Sequence, residues 1–411
     1  MELAPKKTGL SVARLERITD HLERAYVAPG KIAGCQVAVA RRGHLAYFRS
    51  LGSMDLAAGK TMRDDAIFRL YSMTKPITAV ALMTLYERGY FQLNDPVSRF
   101  FPDWRGQKVW VSGRGPEMVT EAPARPPSMR DMLCHTGGLT YGSALAALGV
   151  PDGGHPVDQV YAELGVNRGG GETLTEFMSK LARVPLRYQP GERWMYSLST
   201  DVCGALVERI SGQRFDRFLH SEIFAPLGMK DTAFVVSASE TDRFSANYRR
   251  GPDKGLQVIK DSERSYLAEP NFFSGGGGLV GTTEDYLRFC EMLRRGGELD
   301  GARILGPRTI ELMRRNHLKD GKDLTEMAMG AFSETANEGV GFGLGVATTV
   351  DGVKNGGPGE GDYYWGGAAS TIFWIDPKED LVVVFMTQLM PSGTFNFRGQ
   401  LKSIIYGAIV D

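Results

Sequence analysis

The chain has 411 residues, 42% of them hydrophobic and 23% charged, enough to bury a sizeable core in one large domain or two closely joined lobes. Its 48 basic and 48 acidic residues cancel, and basic residues run no longer than pairs such as Arg41-Arg42 and Arg314-Arg315, which excludes the electrostatic footprint of a nucleic-acid binder. No stretch approaches the roughly eighteen consecutive apolar residues of a membrane span, so no membrane partner is expected.

The N-terminal Met1-Glu2-Leu3-Ala4-Pro5-Lys6-Lys7 lacks the apolar core of a signal peptide. Cys35, Cys134, Cys203 and Cys290 lie far apart, with no C-x-x-C and no metal-ligand spacing. They read as buried thiols in a reducing, cytoplasmic setting, and no metal or cofactor is implied.

Along the chain, residues 11–26 carry the pattern of an amphipathic helix. Residues 32–40 and 44–51 then read as two strands across an Arg41-Arg42-Gly43 turn. The next segment holds Ser72-Met73-Thr74-Lys75, followed by apolar residues at helical spacing and a stop at Gly89. Pro76 is tolerated only in a first turn, which places Ser72 at the helix start. A spacing of three stacks the Lys75 ammonium near the Ser72 hydroxyl, which lies at the positive end of the helix dipole. Two readings stay open for these four residues alone: an N-capping serine with a solvated lysine, or a nucleophile with its base. It is the only S-x-x-K in the chain, and its helix is too apolar to be a solvated face.

From residue 95 to 171 glycine and proline are dense, and helical stretches are expected at 128–134, 174–182, 199–210 and 215–224. Within that region Gln189-Pro190-Gly191 makes a turn and Ser199-Thr200-Asp201 reads as the N-cap of the next helix, which leaves Tyr196 on a connecting loop. Cys134-His135-Thr136-Gly137-Gly138 reads as a helix C-terminus rather than the base of a triad. After the glycine run 275–278, Thr282-Thr283-Glu284-Asp285 opens another helix. Strands are expected at 341–350, 363–375 and 381–388, and a terminal helix at 396–409. Together these predict an α+β fold. A mainly antiparallel sheet of five or more strands, flanked by helices, is formed by 1–94 and 266–411, and residues 95–265 form an inserted helical, loop-rich domain.

A third candidate element is Trp365-Gly366-Gly367-Ala368, where paired glycines permit close backbone approach and an N–H beyond them can serve an oxyanion. No G-x-S-x-G occurs, the glycine run 275–278 lacks the Gly-Lys-Ser/Thr of a phosphate loop, and Gly341-x-Gly343-x-Gly345 has the wrong spacing for a dinucleotide site.

Ser72-x-x-Lys75, the Tyr196-Ser197 loop and Trp365-Gly366-Gly367 occur in the order and separations of three motifs, and in that combination the chain resembles the serine β-lactamase/penicillin-binding superfamily. The similarity is greatest to the class C-like branch that contains the family VIII carboxylesterases and related acyltransferases. Leu93-Asn94-Asp95-Pro96-Val97, His135-Thr136-Gly137-Gly138-Leu139 and the two glycine runs also look alike, so the resemblance extends over nearly the whole chain. It implies a β-lactamase-like fold and a catalytic set of Ser72, Lys75 and Tyr196, with Lys75 and Tyr196 sharing the proton chemistry. It also implies an oxyanion hole from the backbone of Ser72 and Ala368, and substrate contact at Trp365, Gly366, Gly367 and Leu198.

Two positions depart from the lactam-hydrolysing pattern. Trp365 stands where a lysine would meet a substrate carboxylate, and Leu198 where an asparagine would meet an acyl amide. Lys7-Thr8-Gly9 precedes the nucleophile and is expected outside any cleft. The expectation is a serine carboxylesterase acting on short-chain or aryl esters through an acyl-enzyme. An acyltransferase or weak β-lactamase is the alternative within the superfamily, and a non-catalytic binding protein the alternative outside enzymes.

Overall fold

The computed structural model describes residues 3–142, 154–166, 171–260, 266–329 and 338–411; the boundary expected at residue 265 lies outside them. Eight strands build the principal sheet: β1 (Gly34–Arg41), β2 (His44–Asp55), β3 (Lys60–Thr61), β4 (Val340–Phe342), β5 (Ala347–Thr349), β6 (Tyr363–Gly366), β7 (Ile372–Asp376) and β8 (Leu381–Thr387). In space they run β4-β5-β6-β7-β8-β1-β2-β3, every neighbouring pair antiparallel. The first hairpin closes through Arg42 and Gly43, both at positive φ (55° and 76°), as a two-residue turn matching the strand twist requires. The segment 341–350 is not one strand but the hairpin β4–β5, and 363–375 is likewise the hairpin β6–β7. Their turns, around Gly343-Leu344-Gly345 and Gly367–Ser370, are buried or half-buried, so no polar break in the sequence announced them.

The helices that matter for the site are α1 (Val12–Leu22), α2 (Thr74–Glu87), α3 (Met129–Cys134), α4 (Ser199–Ser211), α5 (Thr283–Arg294) and α6 (Phe397–Tyr406). Phe373 on β7 meets Tyr286 of α5 at 5.2 Å between ring centroids, and Phe385 on β8 meets Phe397 of α6 at 4.9 Å. Phe373 pairs across the strands with Val384, the neighbour of Phe385, and successive strand residues point to opposite faces. Helices α5 and α6 therefore cover opposite faces of the sheet, and β1 and β8 are buried along their whole length. Gln400 on α6 joins α1 and the π-helical turn after it, through His21 at 2.9 Å and Tyr26 at 2.6 Å.

Helix α2 is apolar almost all round and buried from Thr74 to Leu85, as a core helix must be. It packs beside α4, which also carries α3. The other expected helices are present as Leu174–Leu181 and as Phe215–Leu219 with a π-helical turn, His220–Phe224. Inside the expected helical lobe the hairpin Tyr248–Arg250/Leu256–Val258 pairs in parallel with Leu389–Met390, just beyond β8. Among the described residues no helix is long and apolar enough to cross a membrane, and the four cysteines are buried and free.

Helix α6 is fastened by a buried ion pair, Lys402 with Asp362, whose carboxylate also accepts from Thr349 Oγ1 at 2.5 Å. Burial pushes the Asp362 carboxyl up and the Lys402 ammonium down, and each charge opposes that shift in the other. Removing one partner strands the other charge. Lys402→Met is expected to cost about 3–5 kcal/mol in urea unfolding, and the double variant with Asp362→Asn to recover part of it.

Candidate active site

Ser72 lies in a 3₁₀ turn, Tyr71–Met73, that feeds directly into α2. The turn is held from three sides. The Leu70 N–H donates to the Leu279 carbonyl at 3.0 Å, the Tyr286 hydroxyl donates to the Met73 carbonyl at 2.9 Å, and Thr74 Oγ1 accepts from the Leu279 N–H at 3.1 Å. Tyr71, immediately before the serine, sits at φ +44°, a region costly for a residue with a side chain. Its hydroxyl accepts from Asn247 Nδ2 at 3.0 Å, so a long-range contact helps hold the strained residue in place.

Three expected residues come together here. The Tyr196 hydroxyl donates to Ser72 Oγ at 2.6 Å, and Lys75 Nζ donates to the same oxygen at 3.1 Å. Lys75 is 1% exposed, donates also to the Gly276 carbonyl, and stands over the Tyr196 ring at 4.6 Å and the Tyr141 ring at 5.7 Å. The spacing of three on α2 brings lysine to serine; tertiary structure alone brings the tyrosine.

Tyr196 occupies an irregular segment between the Trp194 bridge and α4. The segment is laced to neighbouring chain by Trp194 N–H to Met327 O (3.0 Å), Met195 N–H to His135 O (2.9 Å) and Leu198 N–H to Thr140 O (3.3 Å). Its ring packs among Trp194, Trp365, Tyr141 and His135, at centroid distances of 6.2, 5.5, 5.2 and 5.0 Å. A phenol held on so many sides presents one hydroxyl position to the serine.

His135 is the left-handed C-cap of α3 (φ 58°), as the sequence predicts. Burial, and secondarily the Lys75 charge, holds its imidazole well below the ordinary range, so it is neutral at pH 7. It touches Ser197 Oγ at 3.2 Å and Thr200 Oγ1 at 3.4 Å, and therefore braces the tyrosine loop without reaching Ser72.

The 367–370 turn closes the opposite side. Gly367 N–H donates to Thr371 O at 2.8 Å, and Ser370 Oγ donates to Leu389 O at 2.8 Å. A Cβ on Gly367 would lie 2.4 Å from the Leu70 carbonyl oxygen, so only glycine lets this turn reach the backbone just before Ser72. Ala368 is half-buried, and its N–H makes no hydrogen bond among the described residues. Trp365 has no exposed surface; its ring fills the space between Tyr196 and Phe342, and its carbonyl accepts from Arg398 at 3.0 Å. Gly366 ends β6, and Leu198 is a buried residue at the N-cap position of α4. The Lys7-Thr8-Gly9 segment is tied instead to Arg41, through the Thr8 carbonyl at 3.0 Å and the Gly9 carbonyl at 3.4 Å.

Sequence reasoning missed Gly276 as the lysine's acceptor, and it expected Asp201 at a helix cap. The helix begins one residue earlier than that cap requires, and the Asp201 carboxylate turns inward, onto Ser274 and Gly276. The signal that existed was the glycine run itself, which fits no phosphate site and so had to serve close packing. Among the described residues no cluster of His, Cys, Asp and Glu side chains is arranged to hold a metal ion.

Comparison with known proteins identifies the family of the chain. The Beta-lactamase family matches residues 19–403, and the chain belongs to that family. It is 33% identical over 366 residues to protein Rv1367c of Mycobacterium tuberculosis, covering 88% of this chain and 87% of that one. It is 32% identical over 413 residues to esterase EstB of Burkholderia gladioli, covering 95% of each. Among solved structures, EstCE1, a hydrolase with promiscuous acyltransferase activity, superposes with a TM-score of 0.79 at 28% identity, over 97% of this chain and 99% of that one.

The neutral, buried His135 has a measurable consequence. Below about pH 6.5 the unfolded chain binds a proton at this residue that the folded one refuses, so stability falls as pH falls. His135→Asn tolerates the left-handed backbone and removes the group. Its unfolding free energy is expected to decline less steeply between pH 7 and pH 5, by up to about 1.4 kcal/mol per pH unit, when measured by urea titration beside the wild type.

Proposed function

We propose that this beta-lactamase-family chain is a serine carboxylesterase, similar to the family VIII enzymes, that hydrolyses short-chain or aryl esters through an acyl-enzyme on Ser72. The observation that carries the reading is a single hydroxyl, Ser72 Oγ, contacted at once by Tyr196 at 2.6 Å and Lys75 at 3.1 Å in a buried setting. The likeness to esterase EstB and to EstCE1 supports an ester as substrate.

In this mechanism Ser72 Oγ attacks the ester carbonyl as its proton passes to the Tyr196–Lys75 pair, both members of which contact that oxygen. The backbone N–H groups of Ser72 and Ala368 receive the oxyanion, and the open N–H of Ala368 is consistent with that role. The tetrahedral adduct collapses, the alkoxide leaves with the proton held by the pair, and the acyl group stays on Ser72. Water then attacks the acyl carbonyl, gives a proton to the same pair, and releases the acid with Ser72 restored. An alcohol in place of water gives acyl transfer, the second activity named for EstCE1. Ser72 and Ala368 would come from the sheet-bearing part (1–94 and 266–411) and Tyr196 from the helical part (95–265), with the substrate cleft between them.

Ser72→Ala is expected to abolish hydrolysis of p-nitrophenyl acetate and butyrate together with fluorophosphonate labelling; label on another serine with activity intact would remove Ser72 from the reaction. Tyr196→Phe keeps the ring packing and is expected to lower kcat by at least about a few hundredfold. Near-wild-type turnover would leave Tyr196 as lining only.

Trp365 bears on the choice between ester and lactam. Its ring is wholly buried between Tyr196 and Phe342, so this position offers a substrate carboxylate no cation, and stripping a carboxylate of water without one is costly. The wild type should therefore prefer p-nitrophenyl butyrate to nitrocefin in kcat/KM, and Trp365→Ala should relax the preference while leaving Ser72 reactive. Nitrocefin as the better substrate would turn the assignment to a β-lactamase.

A further inference from the structure

Helices α2 and α4 grip the 274–278 segment from opposite sides. From α2, Thr78 Oγ1 donates to the Gly275 carbonyl at 2.8 Å and Lys75 Nζ to the Gly276 carbonyl. From α4, Asp201 Oδ1 accepts from Ser274 Oγ at 2.5 Å and from the Gly276 N–H at 3.0 Å. Asp201 has no exposed surface, and its Oδ2 makes no hydrogen bond among the described residues. A Cβ on residue 276 would lie 2.6 Å from that oxygen, and one on residue 275 would lie 2.7 Å from the Thr200 carbonyl. The glycines are there because a lysine-bearing helix and an aspartate-bearing helix close on one thread of backbone.

We propose that Asp201 is a positioning residue for the reaction: through Gly276 it fixes the carbonyl that holds Lys75 on Ser72, and it supplies a buried negative charge across from the ammonium. The inference rests on the reading of Ser72, Lys75 and Tyr196 given above. An ammonium in the interior is costly without compensating charge or acceptors. The peptide group that Asp201 anchors, between Gly275 and Gly276, is held on its other side by Thr78, and the carbonyl that Lys75 uses belongs to the next peptide along. Coulomb coupling in a protein interior, at an effective dielectric near 20, extends over such a span. Facing Lys75 are Ser72, the Tyr196 and Tyr141 rings and the neutral His135. Facing Asp201 are Ser274 and the Cys203 thiol, which burial first and Asp201 second keep protonated.

The test is Asp201→Asn, which keeps the shape and removes the charge. Without the anion the ammonium is less favoured, so the Tyr196–Lys75 pair loses its proton at lower pH. The acidic limb of kcat/KM for p-nitrophenyl butyrate, and of the rate of fluorophosphonate labelling at Ser72, is expected to move to lower pH by about half a unit or more. The value of kcat should fall about tenfold or more, with KM little changed. Ser274→Ala keeps the charge and removes one donor to Oδ1, so it should lower kcat and leave the limb in place. Should Asp201→Asn lose the wild-type circular dichroism spectrum, Ser274→Ala carries the test through the split between kcat and KM: kcat is expected to fall with KM unchanged, and an unchanged kcat, or a KM that moves with it, overturns the inference. A limb that stays put in folded Asp201→Asn overturns it as well, whatever the loss of amplitude, because a merely structural role lowers activity without moving the profile. Wild-type label on a serine other than Ser72 removes the catalytic reading and this inference together, whereas label on Ser72 with an unmoved limb removes this inference alone.

Discussion

Keeping a lysine ammonium almost wholly out of water is the constraint on which the rest of this structure depends. An isolated charge there would give up its proton or pull the chain open, so acceptors and counter-charge have to be brought to it. Lys75 is met by the Ser72 hydroxyl, by the Gly276 carbonyl and by the faces of two tyrosines. Each of these comes from a different part of the chain, and each demands its own support. The carbonyl needs a segment of glycines slim enough to run between α2 and α4. The tyrosine needs a loop tied to residues 135–140 and to Met327. The serine needs a turn so tight that its preceding residue takes a left-handed conformation.

How much of this was legible in the sequence follows from the range over which each feature acts. Ser72 and Lys75 are one turn apart, so helical spacing alone joins them, and the helix limits are marked by Pro76 and Gly89. The left-handed cap at His135 and the paired first strands are local too. The segments 341–350 and 363–375 each read as one strand because the turns at Gly343-Leu344-Gly345 and Gly367–Ser370 are as apolar or as buried as the strands they join. Periodicity reports burial, and here burial does not stop at the turn.

The long-range part was reachable only as a set of motifs in order. Nothing near Tyr196 states that its hydroxyl meets a serine 124 residues earlier. Asp201 was read, with Ser199 and Thr200, only as part of a helix N-cap; the stronger demand came from Ser274 and Gly276, far away in sequence. Local rules fail where a residue serves a distant partner, and those failures gather around the candidate site.

The central strand pairing joins residues 34–41 to residues 381–387. As the chain is made, the hairpin β1–β2 is available early, yet one edge of β1 has no neighbour until residues 381–387 have been synthesised. For that interval an apolar strand presents open N–H and C=O groups, the geometry that recruits foreign strands. Such distant pairing also favours slow folding. A nascent chain of this design is exposed to self-association for most of its time on the ribosome, so yield on expression should respond to synthesis rate and to holdase chaperones more than to the stability of the finished fold.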